Sequence, residues 1–239
     1  MAEFSDYDSR GYATLEPRAG YGAWSANYED DVVDEMDLAV LGELRTPAWQ
    51  CARTAADLGC GTGRTGAWLR ERGVGSIDGV DLTPEMLVLA RSRGAHDRLV
   101  EGDVRSTGLE SDVYDLVICS LVDEHLPDPG PLHAEAWRLA RPGGTWVMVG
   151  FHPYFIMATG IPTHFEDERG EPIAIRTHVH LVGEQISAGL DCGWRLAEIR
   201  ERVVDERWLE LKPQWERFRH HPVSIAYAWR KPVAERTGS

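Results

Sequence analysis

The chain has 239 residues, 43% of them hydrophobic, and a formal net charge of −14. That length and apolar content suit one large domain around a single packed core, and no apolar run approaches the ~18 residues of a membrane helix. The charge argues against nucleic acid, which is held mainly by cations on its phosphates, and the scattered Cys51, Cys60, Cys119 and Cys192, without a Cys-x-x-Cys pair, argue against zinc, iron–sulfur and disulfide frameworks.

Residues 1–50 come before the first core strand. The N-terminus is acidic (Glu3, Asp6, Asp8) with no basic-then-apolar signal pattern, so a cytoplasmic chain is expected. Tyr7, Tyr12, Tyr21, Trp24 and Tyr28 follow. From about Asp30 to Leu44, Val33, Met36, Val40, Leu41 and Leu44 recur at helical spacing and predict a helix with one apolar face.

Thr54–Asp57 predicts a short strand ending on a carboxylate, and a helix is expected over Arg64–Arg72. Between them, Gly59, Gly61 and Gly63 let the backbone turn tightly and approach a ligand, with the free N–H groups of the helix start aimed into the same space. Cys60, inside the turn, reads as a small packing residue. Gly61-x-Gly63-x-x-Gly66 fits the dinucleotide fingerprint. The longer string Asp57-Leu58-Gly59-Cys60-Gly61-Thr62-Gly63 resembles motif I of the class I S-adenosylmethionine-dependent methyltransferases. Asp57 separates the two, because a carboxylate ahead of the glycines would repel a pyrophosphate and attract the ammonium of a methionine moiety.

Ser76–Asp81 predicts the second strand, and Asp81, about 20 residues past the glycines, is placed for the ribose hydroxyls of an adenosine in either cofactor class. Thr83 and Pro84 start a helix that runs to Arg91. Leu99–Val104 is a third short strand, and Asp112–Ser120 a fourth, nearly continuous in apolar residues as a central parallel strand should be. Helix Pro131–Leu139 and a turn at Arg141–Gly144 deliver strand five, Thr145–Gly150. An aromatic, histidine-bearing segment follows, with an extended piece over Pro172–His180. The expected remainder is helix Val182–Cys192, strand Arg195–Val204, a connection with Trp208, Leu211, Trp215 and Phe218 at helical spacing, and strand Val223–Arg230.

The resemblance to class I methyltransferases runs from about Tyr21 to Gly150. It is carried by Tyr21-Gly-Ala-Trp24-Ser-Ala-Asn-Tyr28, similar to an N-terminal Y-x-x-W-A-x-x-Y segment, by motif I, by Asp103-Val104, by His125-Leu-Pro-Asp128 and by Leu139-x-Arg141-Pro-Gly-Gly144. It implies a Rossmann-like α/β fold: an open seven-stranded sheet, six strands parallel and the last antiparallel, with helices on both faces. One domain would span 1–239, with 1–50 as an N-terminal cover and 151–181 as an acceptor cap inserted after strand five. The resemblance further implies an S-adenosylmethionine site built from Tyr21, Asp57, Gly59, Gly61, Gly63, Asp81, Leu82, Met86, Asp103, Val104 and Ser120. Tyr21 would reach the methionine end, and Asp103 and Val104 would take the adenine amine and ring.

Ligands of an open parallel sheet bind beyond the carboxyl ends of its strands. The loop Asp123-Glu124-His125 and His152 are therefore expected in the same crevice, with His125, Glu124 and His152 as candidates for a general base, since histidine titrates in the useful range. Asp123 and Glu124 depart from the family's usual apolar or aromatic residues there, and could hold an amine acceptor or form a solvated loop face. Tyr12, Tyr28, Asp123, Phe155, His164 and His178 are expected to contact the acceptor, and His178 with His180 makes too few ligands for a metal. Expected overall is methyl transfer to an O, N or C centre of a small molecule, as in secondary metabolism, by a monomer or homodimer without membrane or nucleic-acid partners. A nicotinamide oxidoreductase, or a methyltransferase of a peptide or carrier-bound acceptor, is the alternative. Cys119-Ser-Leu-Val-Asp stands where adenine-N6 and glutamine methyltransferases carry Asn/Asp-Pro-Pro-Tyr, which argues against those acceptors.

Overall fold

A computed structural model describes residues 4–233; Glu3 and the segment 234–239 lie outside the described residues. In chain order the elements begin with β1 (Ala13–Leu15), α1 (Pro17–Trp24), α2 (Tyr28–Asp31), α3 (Leu38–Glu43), β2 (Thr54–Leu58) and α4 (Arg64–Glu71). Next come β3 (Ser76–Asp81), α5 (Pro84–Arg93), β4 (Arg98–Glu101), β5 (Tyr114–Ser120), α6 (Gly130–Leu139), β6 (Ala140–Phe151) and α7 (Pro153–Thr159). The chain closes with β7 (His164–Glu166), β8 (Pro172–Ile175), α8 (Val182–Asp191), β9 (Arg195–Val203), α9 (Glu206–Leu211) and β10 (Pro222–Arg230).

Seven strands form one sheet in the order β4-β3-β2-β5-β6-β10-β9, parallel except for β10, which runs antiparallel to both β6 and β9. The order reverses between β2 and β5, and that switch point opens a crevice at the strand tips. Alternation along β6 shows how the core forms: Trp146 and Met148 pack on one face with Trp194 and Trp229, while Val147 and Val149 pack on the other with Leu41, Trp68 and Leu69. Helices α6 and α8 cover the first face, and α3 and α4 the second.

Several expected boundaries shift. The acidic helix over 30–44 breaks into α2 and α3, with Asp37 capping α3 by accepting from Leu38 N. Strand three stops at Glu101, leaving Asp103 and Val104 in the loop beyond it. The turn Arg141–Gly144 is absorbed into β6 as a bulge: Tyr114 faces Ala140 and Leu116 already faces Thr145. The helical spacing over 208–218 divides at Pro213 into α9 and a 3-10 segment, Pro213–Phe218, as a ring that lacks an N–H and clashes with the preceding turn requires.

The larger difference concerns the cover. Pro172–Ile175 is the only extended part of 172–180, and β8 joins no strand of the main sheet. It pairs parallel with β1 (Ala13 opposite Ile173, Leu15 opposite Ile175) and antiparallel with β7 in a separate three-stranded sheet. Trp24 stacks on Phe165 at 5.6 Å, and both pack with Ile175. The N-terminal cover and the inserted cap are thus one structure.

Candidate active site

A cavity of about 510 Å³ lies over the tips of β2, β3 and β5, roofed by α1 and α2; small-molecule sites span roughly 300–1,000 Å³. Its floor is the glycine turn. Gly61 (φ 51°) and Gly63 (φ 86°) adopt the left-handed conformation that glycine tolerates, and open space lies where a Cβ on Gly61 would sit. A ligand can therefore reach this backbone. Asp81 is locked beside it, its Oδ2 accepting from Gly61 N and its Oδ1 from Thr83 N, both at 2.8 Å. Burial raises the Asp81 pKa while these two N–H groups oppose the rise. Each carboxylate oxygen keeps lone-pair capacity for a hydroxyl donor.

Further along the cavity, Asp103 is clasped by the Arg105 guanidinium at 2.6 and 2.9 Å, which lowers its pKa, with Val104 and Met86 as apolar walls and Leu82 beside them. A carboxylate for ribose hydroxyls, a second for an exocyclic amine and apolar surface for a ring fit the adenosine of S-adenosylmethionine. Of the expected cofactor residues, Tyr21, Gly59, Gly61, Asp81, Leu82, Met86, Asp103, Val104 and Ser120 line the cavity.

Asp57 and Gly63 do not. Asp57 is 1% exposed and turned behind the glycine turn, where its Oδ2 lies 2.9 Å from His96 Nε2. The space for that ring is made by glycines: a Cβ on Gly66 would come within 2.4 Å of His96 and one on Gly79 within 2.8 Å. Direct capture of a methionine ammonium by Asp57 is therefore corrected to a structural pairing with His96, a residue with no signal in the sequence pattern. Gly63 ends the turn as the N-cap of α4 and packs against Ala90.

At the other end, Tyr21 and His125 meet. His125 Nδ1 lies 2.7 Å from the Arg176 carbonyl oxygen, so it carries the proton and donates; Nε2 then accepts from the Tyr21 hydroxyl at 2.8 Å. Burial lowers the His125 pKa to about 4, mitigated by the Arg176 bond, so the ring is neutral rather than poised near 6.5 as its type alone suggests. The Tyr21 hydroxyl is pushed up, mainly by burial. Glu124 Oε1 lies 3.7 Å from His125 Nε2. Asp123 and Glu124 are both buried, not a solvated face, and burial raises both pKa values, with mutual repulsion acting on Asp123. A polar chain reaches this pair: Trp146 Nε1 donates to His133 Nδ1, His133 Nε2 to Gln185 Oε1, and Gln185 Nε2 to Asp123 Oδ2.

Other expected acceptor residues divide. Tyr28 and His178 line the cavity. His152 is turned away, its Nε2 2.9 Å from Glu201 Oε1 and its Nδ1 accepting from Tyr154 N as the cap of α7, so it is no base for this crevice. Phe155 is core, packed on Trp215 and Phe218 at 5.0 and 5.5 Å. Tyr12 and His164 pack on each other at 5.4 Å with their rings tilted by 47°, outside the cavity lining, because β1 and β7 flank β8 in the cap sheet. Sequence reasoning missed the rim arginines Arg18 and Arg176, which line the mouth and pair with Glu101 at 2.6 Å and Glu16 at 2.5 Å. They fall outside every motif, and only the folded cover brings them there.

Known proteins share the sequence of the central region and the fold. The family described as "Methyltransferase domain" matches residues 56–148, from β2 into β6. The malonyl-[acyl-carrier protein] O-methyltransferase of Serratia marcescens is 39% identical over 88 residues, 37% of this chain and 34% of that protein. The ubiquinone biosynthesis O-methyltransferase of Burkholderia orbicola (strain MC0-3) is 30% identical over 129 residues, 52% of this chain and 55% of that protein. The matched region thus spans from a third to about half the length of these relatives. An S-adenosylmethionine-dependent methyltransferase from Mesorhizobium loti superposes with a TM-score of 0.65 at 22% identity, covering 84% of this chain and 99% of that one, which shows the shared fold. The family match over residues 56–148, together with the shared fold, identifies a class I S-adenosylmethionine-dependent methyltransferase domain in this chain and sets the nicotinamide alternative aside.

Proposed function

We propose that the protein transfers the methyl group of S-adenosylmethionine to an O, N or C centre of a small molecule admitted beneath the cap. The observation that carries this reading is the Tyr21–His125 pair, buried at one end of a cavity whose other end presents Asp81 and Asp103. The sulfonium, when bound, supplies an electrophilic methyl group.

The chain's own groups then have defined tasks. Asp81 takes the ribose hydroxyls in charge-assisted hydrogen bonds. Because Tyr21 donates to His125, its oxygen lone pairs are left for an N–H or O–H of the acceptor, which orients the acceptor. As the acceptor is methylated its proton becomes strongly acidic, passes to the Tyr21 oxygen, and the phenolic proton moves to His125 Nε2. A ring with a pKa near 4 holds that proton weakly, and the buried Asp123–Glu124 pair, with raised pKa values, is the better final sink. Covering of this end by α1 and the β1-β8-β7 sheet supports a small acceptor. The 39% identity to a methyltransferase named for a carrier-bound malonyl group is the observation that favours the second reading, a carrier-bound acceptor.

The test is calorimetric titration with S-adenosylmethionine, S-adenosylhomocysteine and NADH, followed by acceptor screening with mass spectrometry. Binding of the first two and silence from NADH is expected. Binding of NADH alone would overturn the reading, and turnover confined to carrier-bound acceptors would replace the small-molecule assignment with the second one.

A further inference from the structure

We infer that Asp37, a buried acid of the N-terminal segment outside every motif, positions the methionine end of the cofactor through Ser120. The inference rests on the cofactor reading above. Sheet order β4-β3-β2-β5 sets the direction of the ligand: Asp103 and Val104 follow β4, Asp81 ends β3, the glycine turn follows β2, and Ser120 ends β5. An adenine at Asp103 and a ribose at Asp81 leave the amino-acid end over the glycine turn, beside Ser120 and Tyr28.

That end carries an ammonium in need of an acceptor. Asp57 is committed to His96 behind the turn, and Asp81 lies at the ribose. Ser120 Oγ is the polar side-chain atom at the tip of β5, and it donates to Asp37 Oδ2 at 3.0 Å. With its proton given to Asp37, the hydroxyl keeps its lone pairs for an N–H donor in the cavity. The Asp37 carboxylate is fixed in turn, its Oδ1 accepting from Leu38 N at 2.8 Å and from Arg64 Nη2 at 2.7 Å. Arg64 is the first residue of α4, directly after Gly63, so the cofactor turn and the N-terminal segment clamp the same acid. Arg64 Nη2 also reaches the exposed Asp34 Oδ1 at 3.2 Å, the longer of its two pairings, and its Nε is buried without a hydrogen-bond partner. Capping of α3 accounts for the bond from Leu38 N; it does not account for Oδ2 reaching a side chain 83 positions away.

The test compares two ligands that share adenosine and sulfur: S-adenosylhomocysteine, and 5′-methylthioadenosine, which lacks the amino-acid end. Asp37→Asn keeps an acceptor for Leu38 N and Arg64, but its amide donates to Ser120 and turns the hydroxyl proton toward the cavity. Calorimetry should show affinity for S-adenosylhomocysteine falling about tenfold or more while that for 5′-methylthioadenosine stays within about twofold. Ser120→Ala leaves the α3 cap and the Arg64 pair intact and should give the same pattern, with little further loss in the double variant. Should Asp37→Asn fail to fold, Ser120→Ala alone decides. Equal losses for both ligands, or none for S-adenosylhomocysteine, would overturn the inference while leaving the cofactor reading standing. Wild-type protein that binds neither ligand would overturn both.

Discussion

The two ends of the crevice are built differently. At the end proposed for adenosine the polar groups are strand tips and the loops that follow them, and Asp81 is held by backbone N–H groups from Gly61 and Thr83. At the end proposed for the acceptor they come from three distant segments: Tyr21 from α1, His125 from the loop after β5, and the Arg176 carbonyl from the stretch after β8. Backbone-anchored geometry follows from the sheet itself, whereas side-chain geometry assembled across a separate three-stranded sheet depends on that sheet docking. Perturbations should therefore separate by end, with binding lost at the first and turnover at the second.

The strongest challenge to this division comes from Phe155, expected from composition to touch the acceptor and found in the core. Phe155→Ala should cost about 3–5 kcal/mol of folding stability, as removal of a buried aromatic does, with the Michaelis constant for the acceptor unchanged. Chemical denaturation and steady-state kinetics on the folded fraction would measure both, and a raised Michaelis constant without lost stability would return Phe155 to the pocket.

Acid sensitivity comes next in size. Burial lowers the pKa of His133 from 6.5 to about 4. The unfolded chain binds its proton near 6.5 and the folded chain only near 4, so stability is fully present above 6.5 and is lost as pH falls through that window. The loss is on the order of 3 kcal/mol for this one group. The raised Asp123–Glu124 pair runs the other way, its contribution present below the unfolded carboxylate range and lost as pH rises. The measurement is therefore a difference: His133→Gln should flatten the decline in melting temperature between pH 6.5 and 4. An unchanged slope would mean that His133 is protonated in the folded protein.

Asp81→Ala should weaken S-adenosylhomocysteine about a hundredfold, close to 2.7 kcal/mol, since it removes charge-assisted bonds to the ribose and frees two turn N–H groups. Unchanged affinity would end its assignment to the ribose. Smaller still, His125→Gln and Tyr21→Phe should each lower kcat by about 10–100-fold with cofactor affinity held within a few fold. Because the two share one proton path, the double variant should lose little beyond either alone. Parallel losses of affinity and kcat would make the pair a structural pin of the cover.

The asymmetry explains what could be read in advance. Motif I, Asp81 and the alternating strands are local signals: a turn that needs glycine and strands whose apolar period marks burial, so their positions follow from spacing alone. Asp57 shows the limit of that logic. Its charge and position were legible, but its direction was decided by His96, which approaches from the connection between α5 and β4 into space left by Gly66 and Gly79. His152 was equally visible just after β6, and Glu201 on β9, across the intervening β10, turned it away from the crevice.

From its residues alone this chain determined its fold class, the order of its core strands along the sequence, and the glycine turn with Asp81 beside it on the crevice floor. These depend on backbone conformation and on the burial period of neighbouring residues. Tertiary structure alone decided that β1 joins β8 and β7 in one cap and that Asp123 and Glu124 are buried with raised pKa values. It also placed the Tyr21 hydroxyl on a neutral His125. Those features depend on which side chains meet across long stretches of sequence, and on the water their meeting excludes.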